Sequence, residues 1–137
     1  MTPRRPSATR SATRADAVAF LAKAREFLRA ARDASALGHH VAATGNAVHA
    51  GIAAADAIAA ARLGAVWVGE HSQAAGHVDQ AGIDGHQAAA QLRRLLPLKH
   101  RAEYDPRPVP ATEASSAVTS AERLLVIATR VVAEGER

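Results

Sequence analysis

The sequence of 137 residues contains no cysteine, and aromatic side chains make up only 3% of it. The lack of cysteine excludes disulfide bonds and thiolate chemistry. Because β-strands favour aromatic and β-branched residues, the scarcity of aromatics disfavours a large sheet. Alanine, which has the highest helix propensity, supplies about a quarter of the chain. The composition therefore predicts a helical protein.

Long apolar segments are also missing. The longest one, residues 51–61, is interrupted by Asp56 and is shorter than the roughly 20 residues that a membrane helix needs. The first residues, MTPRRPSATRSATR, are not followed by the apolar core of a signal peptide. We therefore expect a cytoplasmic protein that makes no membrane contact.

Motifs of several enzyme classes are absent as well. The chain has no GxGxxG or Walker loop, no GxSxG elbow and no HExxH sequence. His71 and His77 are not at the i, i+4 spacing that chelates zinc on a helix. The sequence therefore predicts neither a metal site nor a cofactor.

The apolar periodicity and the helix-ending signals predict an all-α fold, an up-and-down helical bundle of four long helices and one short one. The second helix is rich in small residues almost all round, which favours a position at the centre of the bundle. Thr13, Asp84 and Thr112 are predicted helix caps. The predicted helices cover residues 14–37, 41–63, 71–82, 84–104 and 112–134.

The bundle domain is expected to span residues 14–134, after a disordered basic tail of residues 1–13. The formal net charge is +4 and the sequence pI is about 10.6. Part of this excess lies at the N-terminus, which favours either a solvated tail that attracts phosphate weakly or a dedicated nucleic-acid arm. Four of the seventeen basic residues lie there: Arg4, Arg5, Arg10 and Arg14.

The densest polar segment is LLPLKHRAEYDPRPV, residues 95–109, at the predicted end of the fourth helix. The imidazole of His100 makes this residue a candidate general base, and Arg94, Lys99 or Arg101 can supply positive charge. Tyr104 can donate a hydrogen bond or stack on a base.

Spacing narrows the choice of arginine only partly. Arg93 and Arg94 each lie about two turns before His100, so either can share its helix face, whereas Lys99 and Arg101 point elsewhere on an ideal helix. Three interpretations stay open for the cluster: a salt-bridged helix end, RNA or nucleotide contact without cleavage, and catalysis.

Two further residues are candidates for the same site. Asp56 lies within AAADAIAAA, where a partly buried carboxylate needs a partner, and Lys99, Arg101 or Tyr104 are the expected ones. It is either a structural tie or an orienting group for an active-site base. His71 either caps the third helix, lies at the surface, or points into the cleft beside the fourth helix.

Three segments, NAVHAGIAAADAIAAARLG, GEHSQAAGHV and LRRLLPLKHRAEYDPRPV, resemble the HEPN domain family in their order and spacing. The resemblance covers roughly residues 15–131. It implies a homodimeric helical bundle, and many members are metal-independent endoribonucleases of toxin–antitoxin, phage-defence or RNA-processing systems. A nucleotidyltransferase antitoxin is the partner that this resemblance implies.

The catalytic signature of the family is R-x4-6-H near the end of the penultimate long helix. Both Arg94 and Arg93 satisfy this spacing to His100. Catalytic members often carry a polar residue after the arginine and end in H-x-Y, whereas Leu95 follows Arg94 here and the end matches a K-x-x-A-x-Y branch. The resemblance thus implies either an RNA-cleaving protein or a non-catalytic module that binds a protein, a nucleotide or RNA.

Overall fold

The computed structural model describes residues 8–135, which form a helical bundle with one small antiparallel sheet. The predicted all-α bundle of four long helices and one short helix is confirmed. In chain order the elements are β1 (Thr9–Ser11), α1 (Arg14–Ala36), α2 (His40–Leu63), β2 (Ala65–Trp67), a 3-10 turn (His71–Gln73), α3 (Ala74–Val78), α4 (Gly82–Tyr104) and α5 (Ala111–Glu134).

Helix α1 begins at the predicted capping box. The Thr13 hydroxyl accepts a hydrogen bond from the Asp16 amide at 3.1 Å, and the Asp16 carboxylate accepts one from the Thr13 amide at 2.8 Å. These two bonds satisfy amides that an uncapped helix leaves unpaired. The helix ends before Gly38, whose φ of 75° favours a residue without a side chain.

Helix α2 lies at the centre of the bundle, as its small residues predict. It packs against α1, α4 and α5, and it is buried on almost every side. Gly51 lies directly against Leu95 of α4, and a Cβ atom at this position would overlap the leucine side chain. The small residues therefore set how closely α2 and α4 approach. None of the described helices is long and apolar enough to cross a membrane.

The small sheet contains part of the segment, residues 1–13, that the sequence predicts to be a disordered tail. Strands β1 and β2 are antiparallel, with Thr9 opposite Trp67. The Val68 amide donates to the Ala8 carbonyl at 2.7 Å, which extends the pairing by one residue. Residues 8–13 are therefore part of the fold, and the prediction of disorder is wrong for them. Residues 1–7 of the predicted tail lie outside the described residues.

The predicted cap of the fourth helix is also wrong. Helix α4 begins at Gly82, and Asp84 lies in its first turn. The carboxylate of Asp84 instead forms ion pairs with Arg130 of α5 and with Arg62 of α2, which together lower its pKa. Because its partners come from two other helices, Asp84 joins three elements of the bundle.

Two other helix boundaries differ from the prediction. The third helix is a 3-10 turn followed by the five residues of α3, and it ends at Val78 rather than near Gly82. Thr112 lies inside the first turn of α5, whose N-cap is Pro110 and makes no side-chain capping bond. Proline suits the entry to a helix because its fixed φ is helical and its missing amide has no partner to lose there.

Candidate functional site

A cleft of about 390 Å³ lies between the C-terminal half of α4 and the 3-10 turn. It brings together five of the residues that the sequence singles out, and it adds one serine and two apolar residues. Among the described residues that line it, none carries a carboxylate. The lining residues are His71, Ser72, Arg93, Leu96, Pro97, Lys99, His100 and Tyr104.

Helical geometry explains which arginine shares the cleft with His100. Seven residues make almost two full turns, so Arg93 and His100 lie on the same face of α4. Six residues leave Arg94 about a third of a turn away from that face. Arg94 accordingly lines a different groove, between α4 and α5. Within one chain Arg93, and not Arg94, therefore lies beside His100 in the cleft, and the catalytic role of Arg94 stays a prediction.

Lys99 and His71 form the polar contact at the centre of the cleft. The Lys99 Nζ atom lies 3.2 Å from Nδ1 of His71. Because an ammonium group can only donate, Nδ1 accepts this bond and the ring proton of neutral His71 lies on Nε2. Partial burial and the positive charge of Lys99 lower the pKa of His71. These effects favour the neutral form of His71 near pH 7. The contact with His71 also means that Lys99 lies in the cleft and does not point elsewhere on the helix.

The aromatic part of the cleft is formed by His100 and Tyr104, which are one helical turn apart. Their ring centroids are 5.3 Å apart and the ring planes are tilted by 39°. Tyr104 is 71% exposed, so its ring is accessible from solvent. Two exposed rings beside a pair of cations can receive a planar base while the cations contact phosphate.

Arg93 is held in place by an acidic residue outside the cleft. Its Nη2 atom lies 3.4 Å from the Asp79 carboxylate, which also accepts a hydrogen bond from His86 at 2.8 Å. The bonds from His86 and Arg93 lower the pKa of Asp79, so the carboxylate stays charged near neutral pH. A guanidinium has five donors, and this one contact leaves others for a ligand.

Arg101 does not belong to the cleft. Its Nε atom lies 2.9 Å from the Glu113 carboxylate of α5, at the end of the α4–α5 hairpin. For Arg101, this ion pair agrees with one of the three interpretations of the cluster, that of a salt-bridged helix end. The binding role predicted for Arg101 is therefore not supported by its position.

The partners expected for Asp56 are wrong. Arg101 is paired with Glu113, Lys99 contacts His71, and Tyr104 is exposed beside His100. Within residues 8–135 the Asp56 carboxylate has no hydrogen bond or ion pair. Burial raises its pKa to about 7, and the more distant charges of Arg10 and Lys23 only partly oppose this.

Asp56 nevertheless lies next to the cleft. It lines a small, partly open cavity of about 30 Å³ together with His71 and His77. His71 lines both this cavity and the cleft, whereas Asp56 does not line the cleft. This is the position of an inner neighbour of the site, without direct access to a ligand in the cleft.

Sequence reasoning missed the residues that complete the cleft. Leu96 and Pro97 follow Arg93 by three and four residues, so the same helical spacing that selects His100 and Tyr104 would have found them. Asp79 carries no comparable signal, because it precedes α4 and meets Arg93 only through the fold. No group of three His, Asp or Glu side chains within residues 8–135 is arranged to hold a metal ion.

The arrangement can bind a phosphate group through Lys99 and Arg93 and a base against His100 and Tyr104. Comparison with known proteins does not identify a family or a function for this cleft. The sequence matches no protein-family model and no curated protein.

Proposed function

We propose that this chain is a HEPN-type RNA-acting protein that binds single-stranded RNA in the cleft and cleaves it without a metal ion. The observation that carries the proposal is the composition of the cleft, which combines two histidines, a lysine, an arginine and a tyrosine. The family itself rests on the sequence resemblance.

Binding would follow the layout of the cleft. Lys99 and Arg93 supply positive charge and hydrogen-bond donors for a phosphate. Tyr104 and His100 offer ring surface to an unstacked base, a contact that duplex RNA does not provide. The proposed substrate is therefore a single strand or a loop.

In the cleavage step His100 would act as the general base. Its imidazole takes the proton of a ribose 2′-hydroxyl, and the 2′-oxygen then attacks the adjacent phosphorus. The bond from phosphorus to the 5′-oxygen breaks, and that oxygen takes a proton from solvent. Lys99 and Arg93 stabilise the negative charge that develops on the phosphate oxygens. The products are a 2′,3′-cyclic phosphate and a 5′-hydroxyl.

The experiment is incubation of the purified chain with single-stranded RNA in the presence of a chelator. We expect cleavage by the parent protein and at least about a hundredfold slower cleavage by His100→Ala, the scale of a lost general base. His39→Ala is the matched control, because His39 is exposed and makes no side-chain capping bond. Equal cleavage by the His100 and His39 variants would contradict the assignment of His100.

A second candidate is a non-catalytic module that binds RNA through the same cleft. It is favoured by the position of Arg94, which lies away from His100, and by the single contact that ties Arg93 to Asp79. This candidate predicts no cleavage by any variant but weaker RNA binding by Tyr104→Ala. Fluorescence anisotropy with a labelled single strand measures that loss, and unchanged affinity would contradict it.

The resemblance extends the proposal to a homodimer in a toxin–antitoxin or defence context, located in the cytoplasm. A nucleotidyltransferase-type antitoxin is the proposed protein partner. Light scattering tests the dimer, for which a mass of 14.2 kDa at micromolar concentration would be the contradicting result. Co-purification with a nucleotidyltransferase encoded by a neighbouring gene tests the partner, and separate elution of the two proteins would contradict it.

A further inference from the structure

A second group of cations lies on the other side of α4, in a groove of about 330 Å³ between α4 and α5. Two arginines, four hydroxyl groups and one leucine line it, and no described lining residue is acidic. From α4 come Arg94 and Leu98, and from α5 come Ser115, Ser116, Thr119, Ser120 and Arg123.

The two groove arginines differ from the other arginines of these helices. Helices α4 and α5 together contain five. Three of them form ion pairs: Arg93 with Asp79, Arg101 with Glu113 and Arg130 with Asp84. Arg94 and Arg123 form no ion pair within residues 8–135, and they are the two that line the groove. Among the described residues, two positive charges at one place thus have no carboxylate partner.

The hydroxyl groups add hydrogen-bond donors to these charges. The Thr119 hydroxyl already donates to the Ser115 carbonyl at 3.1 Å. Within residues 8–135 no hydrogen bond is formed by the side chains of Ser115, Ser116 and Ser120. Three serine hydroxyls and two guanidinium groups that line the groove are therefore available as hydrogen-bond donors.

We propose that the α4–α5 groove binds a phosphate group of a nucleotide or of an RNA strand. A phosphate offers several acceptor oxygens and negative charge, which match a site that has many donors and no carboxylate. The groove is also larger than a lone ion requires, and Leu98 gives it an apolar wall for a sugar or base. This proposal does not depend on cleavage in the His100 cleft, because the two sites lie on different faces of α4.

The test uses the full chain and two probes, adenosine monophosphate and a short single-stranded RNA. Isothermal titration compares the parent protein with the double variant Arg94→Gln/Arg123→Gln. The control is Arg25→Gln/Arg29→Gln, which removes the same charge from two exposed arginines of α1. We expect the groove variant to lose roughly tenfold or more in affinity and the control to stay within about twofold.

The outcomes separate the two sources of phosphate. Loss of affinity for adenosine monophosphate identifies a free nucleotide as a ligand, and a loss confined to RNA identifies the strand backbone. Equal affinities of the groove variant and the control for both probes, or no binding of either probe by the parent protein, would overturn the proposal. Arg93→Gln, which changes the cleft and leaves every residue that lines the groove in place, shows whether a failure belongs to the proposed function instead.

Discussion

At the scale of the residue, the most unusual group is the Asp56 carboxyl, which burial leaves with a pKa of about 7. In the unfolded chain the same carboxyl titrates near its ordinary, much lower value. Between these two values the folded state holds a proton that the unfolded state has released. The free energy of unfolding therefore decreases as the pH rises through this window. Above the window the folded chain carries a partly buried charge that has no ion-pair partner among residues 8–135.

We predict that Asp56→Asn raises the free energy of unfolding at pH 8 by about 1–3 kcal/mol, less than the full pKa change implies because the side chain is only partly buried. At pH 5 we expect a much smaller difference. Urea unfolding at both pH values measures this, with the parent protein as the reference. A less stable variant at pH 8 would contradict it. A structural tie between Asp56 and a partner, which the sequence left open, would instead make loss of the carboxylate destabilising, but Asp56 has no such partner among residues 8–135.

The arginines of α4 show how far single residues can be assigned from sequence. His100, Lys99 and Tyr104 are polar side chains in an alanine- and leucine-rich chain, so their clustering is visible without a structure. The choice between Arg93 and Arg94 depends on the angle around the helix, and a spacing motif that allows both leaves it open. A strict helical projection would have favoured Arg93.

At the scale of the element, α2 depends on where its glycines lie. A Cβ atom added at Gly45 would meet no atom within 4 Å, whereas one at Gly51 would overlap Leu95. We predict that Gly45→Ala stabilises the protein by about 0.5–1 kcal/mol through higher helix propensity. Gly51→Ala should destabilise it by about 1–3 kcal/mol, because α2 and α4 must separate or Leu95 must move.

Thermal unfolding of the two variants provides the comparison, and each serves as the control for the other because both add one methyl group to the same helix. Equal shifts in the same direction would contradict the close packing of α2 against α4.

The helices could be predicted because their signals are local. The capping box at Thr13 and the glycines that end α1 and α2 act within a few residues. The β1–β2 pair could not be predicted in this way, because Thr9 finds its partner Trp67 more than fifty residues later. The ion pairs of Asp84 are missed for the same reason, since Arg62 and Arg130 lie on two other helices.

At the scale of the whole molecule, α4 separates two positively charged sites. The cleft with Lys99 and Arg93 lies on one side, and the groove with Arg94 lies on the other. Both sites lack acidic lining residues within the part of the chain that the structure describes. Part of the net charge of +4 therefore lies in two sites where it can attract a phosphate ligand.

A nuclear magnetic resonance titration of the isotope-labelled full chain with a short single-stranded RNA, without metal, shows whether the cleft binds RNA. We expect saturable shifts of the His71, Lys99, His100 and Tyr104 signals of the cleft, and smaller shifts of these signals in Lys99→Gln. A titration that shifts only residues outside the cleft, or that shifts none at all, would contradict the claim that this cleft binds RNA.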